Sequence, residues 1–271
     1  MINLSGNVQI HFNEIQKIVD HIEEHFDREI TADEIERLSQ YSYRNFQRIF
    51  FKIFNETISG FQKRLRLEKS YKKLIYTTDK ISDIAWEVGY LNIQSFSKAF
   101  KKQYRLSPVE ARKQKQEIFK AFIDSETSDF RYEIKYKDAV SVYGIFIKAK
   151  DYNNHEINDL WDVIERENRD SFSAYGIIRD QPLITGGSHC RYGAAISKEG
   201  SGLRKMDIFG GKYIRFAHYG SFDTILETYR SFYRFWLTQP DLLLDNSDVI
   251  EEYLQADTGE NITYIYFPLY S

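Results

Sequence analysis

The residues best equipped for chemistry fall into two sets. Within NIQSFSKAFKKQ at 92–103, Gln94, Ser97, Lys98 and Lys101 share one side of a helix, and Phe96, Ala99, Phe100 and Gln103 share the other. Amides and hydroxyls can pair with base edges and lysines with phosphates, so the polar side suits nucleic-acid contact. The other set is acidic and aromatic: in the strand-like run VIEEYLQ, Glu251 and Tyr253 point to one face and Glu252 to the other. His189 beside Cys190 resembles a base next to a nucleophile, but adjacent strand residues face opposite ways, so Cys190 reads better as a buried thiol. A single cysteine excludes an internal disulfide and a multi-cysteine zinc site, and of the six histidines only His21 and His25 stand at HxxxH spacing, a single pair with no third ligand spaced beside it. No metal and no cofactor are expected. The glycine pairs at 186–187 and 210–211 lack a phosphate-loop context and read as turns.

Both sets need folded elements to hold them. With 271 residues, 42% hydrophobic and 28% charged, the chain has the composition of a globular protein of about two domains. No apolar run is long enough for a membrane span and the polar start MINLSGNVQ is no secretory signal, so a cytoplasmic protein without a membrane partner is expected. The net charge of −3 conceals a division. Residues 1–120 hold 21 basic against 16 acidic residues, whereas 121–271 hold 16 against 24; within 41–120 the excess is 18 over 7. Only the first part is suited to a polyanion.

In chain order, Ile15, Ile18, Val19, Ile22 and Phe26 mark an amphipathic first helix, and Thr31 with Glu34 reads as a capping box. Ser42 can cap a helix whose apolar face is Phe46, Ile49, Phe50 and Ile53, leaving Arg44, Gln47, Arg48 and Phe51 outward. The stretch from Ile58 to Thr77, free of proline and with glycine only at its start, reads as one long helix. Ile81, Ile84, Ala85 and Val88 form the next, Gly89 ends it, and Asn92 caps the helix of the opening set. Phe46 and Phe50 recur as Phe96 and Phe100, and Lys52 as Lys102, so two helix-turn-helix units flank the long helix. For both to enter successive major grooves on one DNA face they must lie roughly 34 Å apart unless the duplex bends.

SYRNFQRIF at 42–50, RLRLEKSYKKLIYTT at 64–78, ISDIAWEVGY at 81–90 and SFSKAFKKQYRLSPVEAR at 95–112 resemble the DNA-binding domain of the AraC/XylS family of bacterial transcription regulators. The resemblance implies base-facing positions at Arg44, Gln47 and Arg48 in the first recognition helix. In the second it implies Asn92, Ile93, Gln94, Ser97 and Lys98. Glu36 and Gln40 depart from the small residue and the glycine common in that family, so the first turn is expected to be looser than the second.

An all-α domain over 8–120 and a linker over 121–129 would then precede a domain over 130–271 whose pattern changes to strands. Strand, helix, strand, strand occurs twice, predicting an α+β domain of two similar halves. GGKYIRFAHYGSFDTILETYRSFYRFWL, IEEYL and ITYIYFPLYS resemble the gyrase-inhibitor-like (GyrI-like) effector-binding domain, which binds small molecules, often bulky cations, between its halves. The resemblance places that family's pocket acid on Glu251, with Tyr253 beside it. Tyr143, Trp161, Tyr192, Tyr229, Trp236, Tyr264 and Tyr266 are further candidate walls, since aromatic faces hold planar or quaternary cations, although aromatics at such spacing also serve as core.

The reading is a non-enzymatic transcription regulator, with promoter DNA, a small aromatic or cationic effector and RNA polymerase as partners. Two other readings stay open for the second domain: a small-molecule hydrolase with Glu251 as base, and a protein-sequestering module.

Overall fold

The computed structural model describes residues 6–120, 130–152, 154–167, 173–200, 202–255 and 261–270. The expected linker at 121–129 lies outside the described residues. The chain forms two compact units, Met1–Leu74 with Asp79–Ala111, and Ile75–Thr78 with Arg112–Ser271.

The first unit is helical. Helices α1 (Gly6–Glu24), α2 (Ala32–Ser39), α3 (Tyr43–Phe54) and α4 (Ile58–Tyr76) are followed by α5 (Ile81–Glu87), α6 (Ile93–Tyr104) and α7 (Pro108–Lys113); α8 (Lys115–Ile118) falls in the second unit. Ile15, Ile18, Val19 and Ile22 of α1 pack with Ile35, Phe46, Phe50, Phe61 and Leu65 in one core. The second helix-turn-helix closes on aromatic contacts, with Tyr71 edge-on to Phe100 at 5.2 Å and Tyr90 edge-on to Phe96 at 5.4 Å. The capping box at Thr31 and Glu34 is present, and Ser42 and Asn92 cap α3 and α6.

Ile53 is not on the apolar face of α3: it is exposed, and Phe54 completes the stripe by stacking on Phe50 at 4.4 Å and meeting Phe61 at 5.4 Å. Gln103 likewise faces solvent. The first turn differs from the second in chemistry. Gln40 takes the left-handed conformation at φ 60°, and Glu36 accepts a hydrogen bond from Tyr43 N at 2.6 Å, so a carboxylate ties the turn to the start of α3. At the second turn Gly89 has φ 81°, and a Cβ there would lie 1.8 Å from Asp27 O, which leaves room only for glycine.

The second unit is built on one antiparallel eight-stranded sheet in the order β1-β6-β8-β7-β3-β4-β2-β5. Its strands are β1 (Glu133–Lys137), β2 (Val140–Lys148), β3 (Ala174–Ile178), β4 (Arg191–Ile196), β5 (Arg204–Ile208), β6 (Gly211–Tyr219), β7 (Val249–Gln255) and β8 (Asn261–Pro268). Helix α9 (Asn154–Glu167) follows β2, the short α10 (Pro182–Thr185) follows β3, and α11 (Ile225–Leu237) follows β6. Each half runs strand, helix, strand, strand, as β2-α9-β3-β4 and β6-α11-β7-β8, and the halves join where β3 pairs β7. The edges β1 and β5 pair with the first strand of a half, β6 and β2. β5 escapes sequence reading because RKMDI is mostly charged or polar and its pairing with β2 alone makes it an edge.

The sheet's two faces are unlike. On one, Leu160 and Ile164 of α9 cover Tyr192, Ala194 and Ile196, and Phe232 of α11 lies 4.1 Å from the Phe267 ring. On the other, Val142, Tyr175, Ile177, Ile208, Tyr213, Ile250 and Tyr266 form a core of strand residues alone.

Candidate DNA-reading surface and effector site

The two recognition helices are α3 and α6, each of 12 residues, each opened by a side-chain cap and ended by a left-handed residue, Asn55 or Arg105. Burial of Phe46, Phe50, Phe96 and Phe100 fixes which faces turn outward. Arg44, Gln47 and Arg48 are exposed on α3, and Arg48 Nη2 donates to Asn45 Oδ1 at 3.0 Å. On α6, Ile93, Gln94 and Lys98 are exposed and Ser97 is half-buried. Asn92 Oδ1 accepts from Ser95 N at 2.8 Å, so its side chain serves as the helix cap.

The effector candidates separate more sharply. Glu251 lies on β7 opposite Gly176 of β3 and Ile265 of β8, at the seam of the two halves, and is only 5% exposed. Tyr229 of α11 donates its hydroxyl to Glu251 Oε1 at 2.8 Å, and Tyr253 donates to Oε2 at 2.5 Å. The Tyr253 and Tyr192 hydroxyls are 2.6 Å apart, and Trp161 Nε1 of α9 donates to Tyr192 at 3.0 Å. Each hydroxyl has one proton, so with Glu251 ionised the chain is directed from Trp161 through Tyr192 and Tyr253 onto the carboxylate. Among the described residues, the hydrogen bonds on Glu251 come from tyrosine hydroxyls alone.

Burial pushes the Glu251 carboxyl above its ordinary value of 4.5, against the lowering effect of the Tyr253 and Tyr229 bonds. Burial also raises Tyr192, Tyr229 and Tyr253, with the Glu251 charge adding to it. The site is therefore a desolvated acid in a ring of neutral donors, an arrangement that favours a cation able to share the charge. Its outer wall is aromatic: the Tyr253 ring meets Trp161 edge-to-face at 5.5 Å and Phe222 at 5.2 Å.

Two residues of this arrangement escape sequence reading. A Cβ at Gly176 would lie 2.4 Å from Tyr253 Oη, 2.6 Å from Tyr192 Oη and 2.8 Å from Glu251 Oε2, so the hydroxyl–carboxylate cluster occupies the space of the missing side chain. The only available signal was a glycine inside a strand pattern. Phe222, in a short 3-10 turn before α11, had none.

The structure joins Trp161, Tyr192, Tyr229 and Tyr253 to Glu251 and leaves four other candidates elsewhere. Trp236 is a core residue, fully buried, with Nε1 donating to Leu242 O at 2.8 Å and its ring against Phe119 at 5.6 Å. Tyr264 and Tyr266 lie on the other face, in or against the core of strand residues, where Tyr266 donates to Glu252 Oε2 at 2.6 Å. Tyr143 shares the face of Ile145 and Ile147 on β2, three strands away from the β7 of Glu251. Cys190 is fully buried, and His189 ends a 3-10 turn ahead of β4, so the pair is not on a strand.

Comparison with known proteins assigns a family to each part of the chain. A helix-turn-helix domain family matches residues 37–114, and the GyrI-like small molecule binding domain matches residues 130–270. The regulatory protein SoxS of Escherichia coli (strain K12) is 32% identical over 98 residues, covering 36% of this chain and 92% of SoxS. Similar solved structures include an AraC-type transcriptional regulator from Chromobacterium violaceum, at 22% identity and a TM-score of 0.37, covering 38% of this chain and 93% of that one. An integron cassette protein from Vibrio cholerae matches at 14% identity and a TM-score of 0.40, covering 51% and 95%. The chain belongs to the AraC-type DNA-binding transcription regulators and carries a GyrI-like small-molecule binding domain. Among the described residues, no helix is long and apolar enough to cross a membrane.

Proposed function

We propose that this regulator senses an organic cation at Glu251 and that binding there alters its engagement of promoter DNA or of RNA polymerase in the cytoplasm. The carrying observation is a 5% exposed carboxylate whose partners are tyrosine hydroxyls. Because Tyr253, Trp161 and Phe222 close over the acid, a ligand has to displace one of these rings and take over the hydrogen bond it supported. On the DNA side, Arg44 and Arg48 suit guanine, Gln47 and Gln94 adenine, and Ile93 a thymine methyl, with Ser97 and Lys98 completing the second contact and Asn92 holding the helix end.

The test is thermal stabilisation of wild type and Glu251→Gln by aromatic cations, neutral analogues and anions. A cation at 100 times its dissociation constant should stabilise wild type by about 2.7 kcal/mol and leave Glu251→Gln unmoved. The stabilising compound should then change promoter affinity or transcription in a purified system. Equal responses from both proteins, or a preference for neutral compounds, would remove Glu251 as the anchor, and conversion of the compound to product would mark a hydrolase.

A further inference from the structure

Helices α3 and α6 repeat one element at an offset of 50 residues: their caps are Ser42 and Asn92 and their last residues Phe54 and Tyr104. The same offset pairs Arg44 with Gln94, Gln47 with Ser97 and Arg48 with Lys98, and it pairs Phe51 with Lys101. Lys101 is exposed and continues the polar side of α6, so all four of these positions on that helix can donate a hydrogen bond. On α3 the fourth position is a phenyl ring.

Phe51 stands in the middle of the DNA-reading face. At 3.6 residues per turn it lies between Gln47 and Arg48 in angle and two turns beyond Arg44, about 10 Å further along the axis. It is 50% exposed, and Arg44, Gln47, Arg48 and Lys52 are exposed around it. The ring contacts of α3 run inward through Phe46, Phe50 and Phe54 toward Phe61 of α4, so packing accounts for those phenylalanines and not for this one. An isolated apolar residue on a surface is ordinary, but this one is ringed by cations and an amide on a face that meets a polyanion.

The major groove offers one apolar feature to such a ring, the C5-methyl group of thymine. A lysine at the same place attracts phosphate whatever the sequence. We propose that Phe51 is a specificity-determining residue that reads a thymine methyl, so that the two repeats use one position differently: Phe51 for sequence in the first, Lys101 for phosphate in the second. The inference rests on α3 reading the major groove through Arg44, Gln47 and Arg48. Lys52, exposed beside Phe51, keeps a phosphate contact for the first helix as Lys102 does for the second, so the exchange of lysine for phenylalanine gains a base contact without giving up all anchoring there.

The test begins with selection of binding sites for the full chain from a random duplex library, with Arg48→Ala and Lys98→Ala used to assign each subsite to its helix. Every thymine of the α3 subsite is then replaced singly by deoxyuridine, which removes only the methyl group. One such replacement should weaken binding by wild type about fourfold, the worth of one buried methyl, and should leave Phe51→Ala unaffected. Phe51→Lys, which copies the second repeat, should likewise ignore the methyl, while its affinity falls more steeply with salt by about one counterion. An α3 subsite without thymine, deoxyuridine duplexes that wild type binds as tightly as the thymine ones, or an undiminished loss in Phe51→Ala would overturn the proposal. Should Arg48→Ala bind with unchanged affinity and sequence preference, α3 is not a reading helix and the inference falls with that reading; an intact Arg48 effect with any of those results overturns the inference alone.

Discussion

Glu251 and Glu252 are consecutive in the chain and inhabit different solvents. The first is under the helices, 5% exposed and bonded to tyrosine hydroxyls; the second is on the face packed by strand residues alone, beside the Lys137 ammonium and Tyr266. Strand alternation separates them, but what each residue becomes is decided by what packs on its face. The covered face excludes water and supplies only neutral donors, so its acid is left needing charge. The strand-only face supplies a cation from the chain itself, so its acid is already paired.

The comparison can be broken most forcefully at Gly176. Alanine there would push into three polar atoms of the Glu251 cluster without touching Glu252, and overpacking of this kind costs about 1–3 kcal/mol or more. Gly176→Ala should lower the melting temperature and abolish any cation response at Glu251. Unchanged stability with an intact response would show that the cluster yields easily.

A smaller and more pointed contrast comes from removing one hydroxyl on each face. Tyr229→Phe strips a hydrogen bond from a buried carboxylate oxygen, for an expected loss of about 1–3 kcal/mol. Tyr266→Phe leaves Glu252 with Lys137 and partial access to water, and should cost under about 1 kcal/mol. Chemical denaturation of both variants measures this, and equal losses would mean that the two faces are not electrostatically distinct.

The smallest effect is the pH dependence. The folded-state pKa of Glu251 is raised, so the native chain holds this proton more tightly than the unfolded chain. Its contribution therefore favours folding at low pH and is lost as pH rises above the ordinary value of 4.5 toward the raised value. Relative to Glu251→Gln, wild type should lose stability across that window with a slope of at most about 1.4 kcal/mol per pH unit. A cation anchored at Glu251 should bind more tightly across the same rise. Parallel stability curves for the two proteins would remove the strained carboxyl.

The helical unit was highly legible because its signals are local. Thr31 with Glu34, Ser42 and Asn92 announce helix starts within three residues, and the Phe46/Phe50 and Phe96/Phe100 pairs reveal both reading helices. Ile53 misled because it fits helical spacing with Phe46, Ile49 and Phe50, but the packed row runs every fourth residue through Phe46, Phe50 and Phe54 and leaves Ile53 to one side. In the second unit, Trp161, Tyr192, Tyr229, Trp236, Tyr264 and Tyr266 share one residue class, yet they divide among the acid cluster, the core under the helices and the strand-only face. Composition cannot tell a ring that meets Glu251 from one that meets Phe119.

By itself, the sequence determined the helices with their caps, the repeated helix-turn-helix, the repeated strand-helix-strand-strand order and the alternation that parts Glu251 from Glu252. Those follow from periods of 3.6 and 2 and from caps that act within a few residues. Only the tertiary structure decided that Gly176 lies opposite Glu251, that Tyr192 and Trp161 reach it through Tyr253, and that Lys137 meets Tyr175, Glu252 and Tyr266 from β3, β7 and β8. These are matters of register and packing between distant segments, and no local pattern encodes which strand a residue will face.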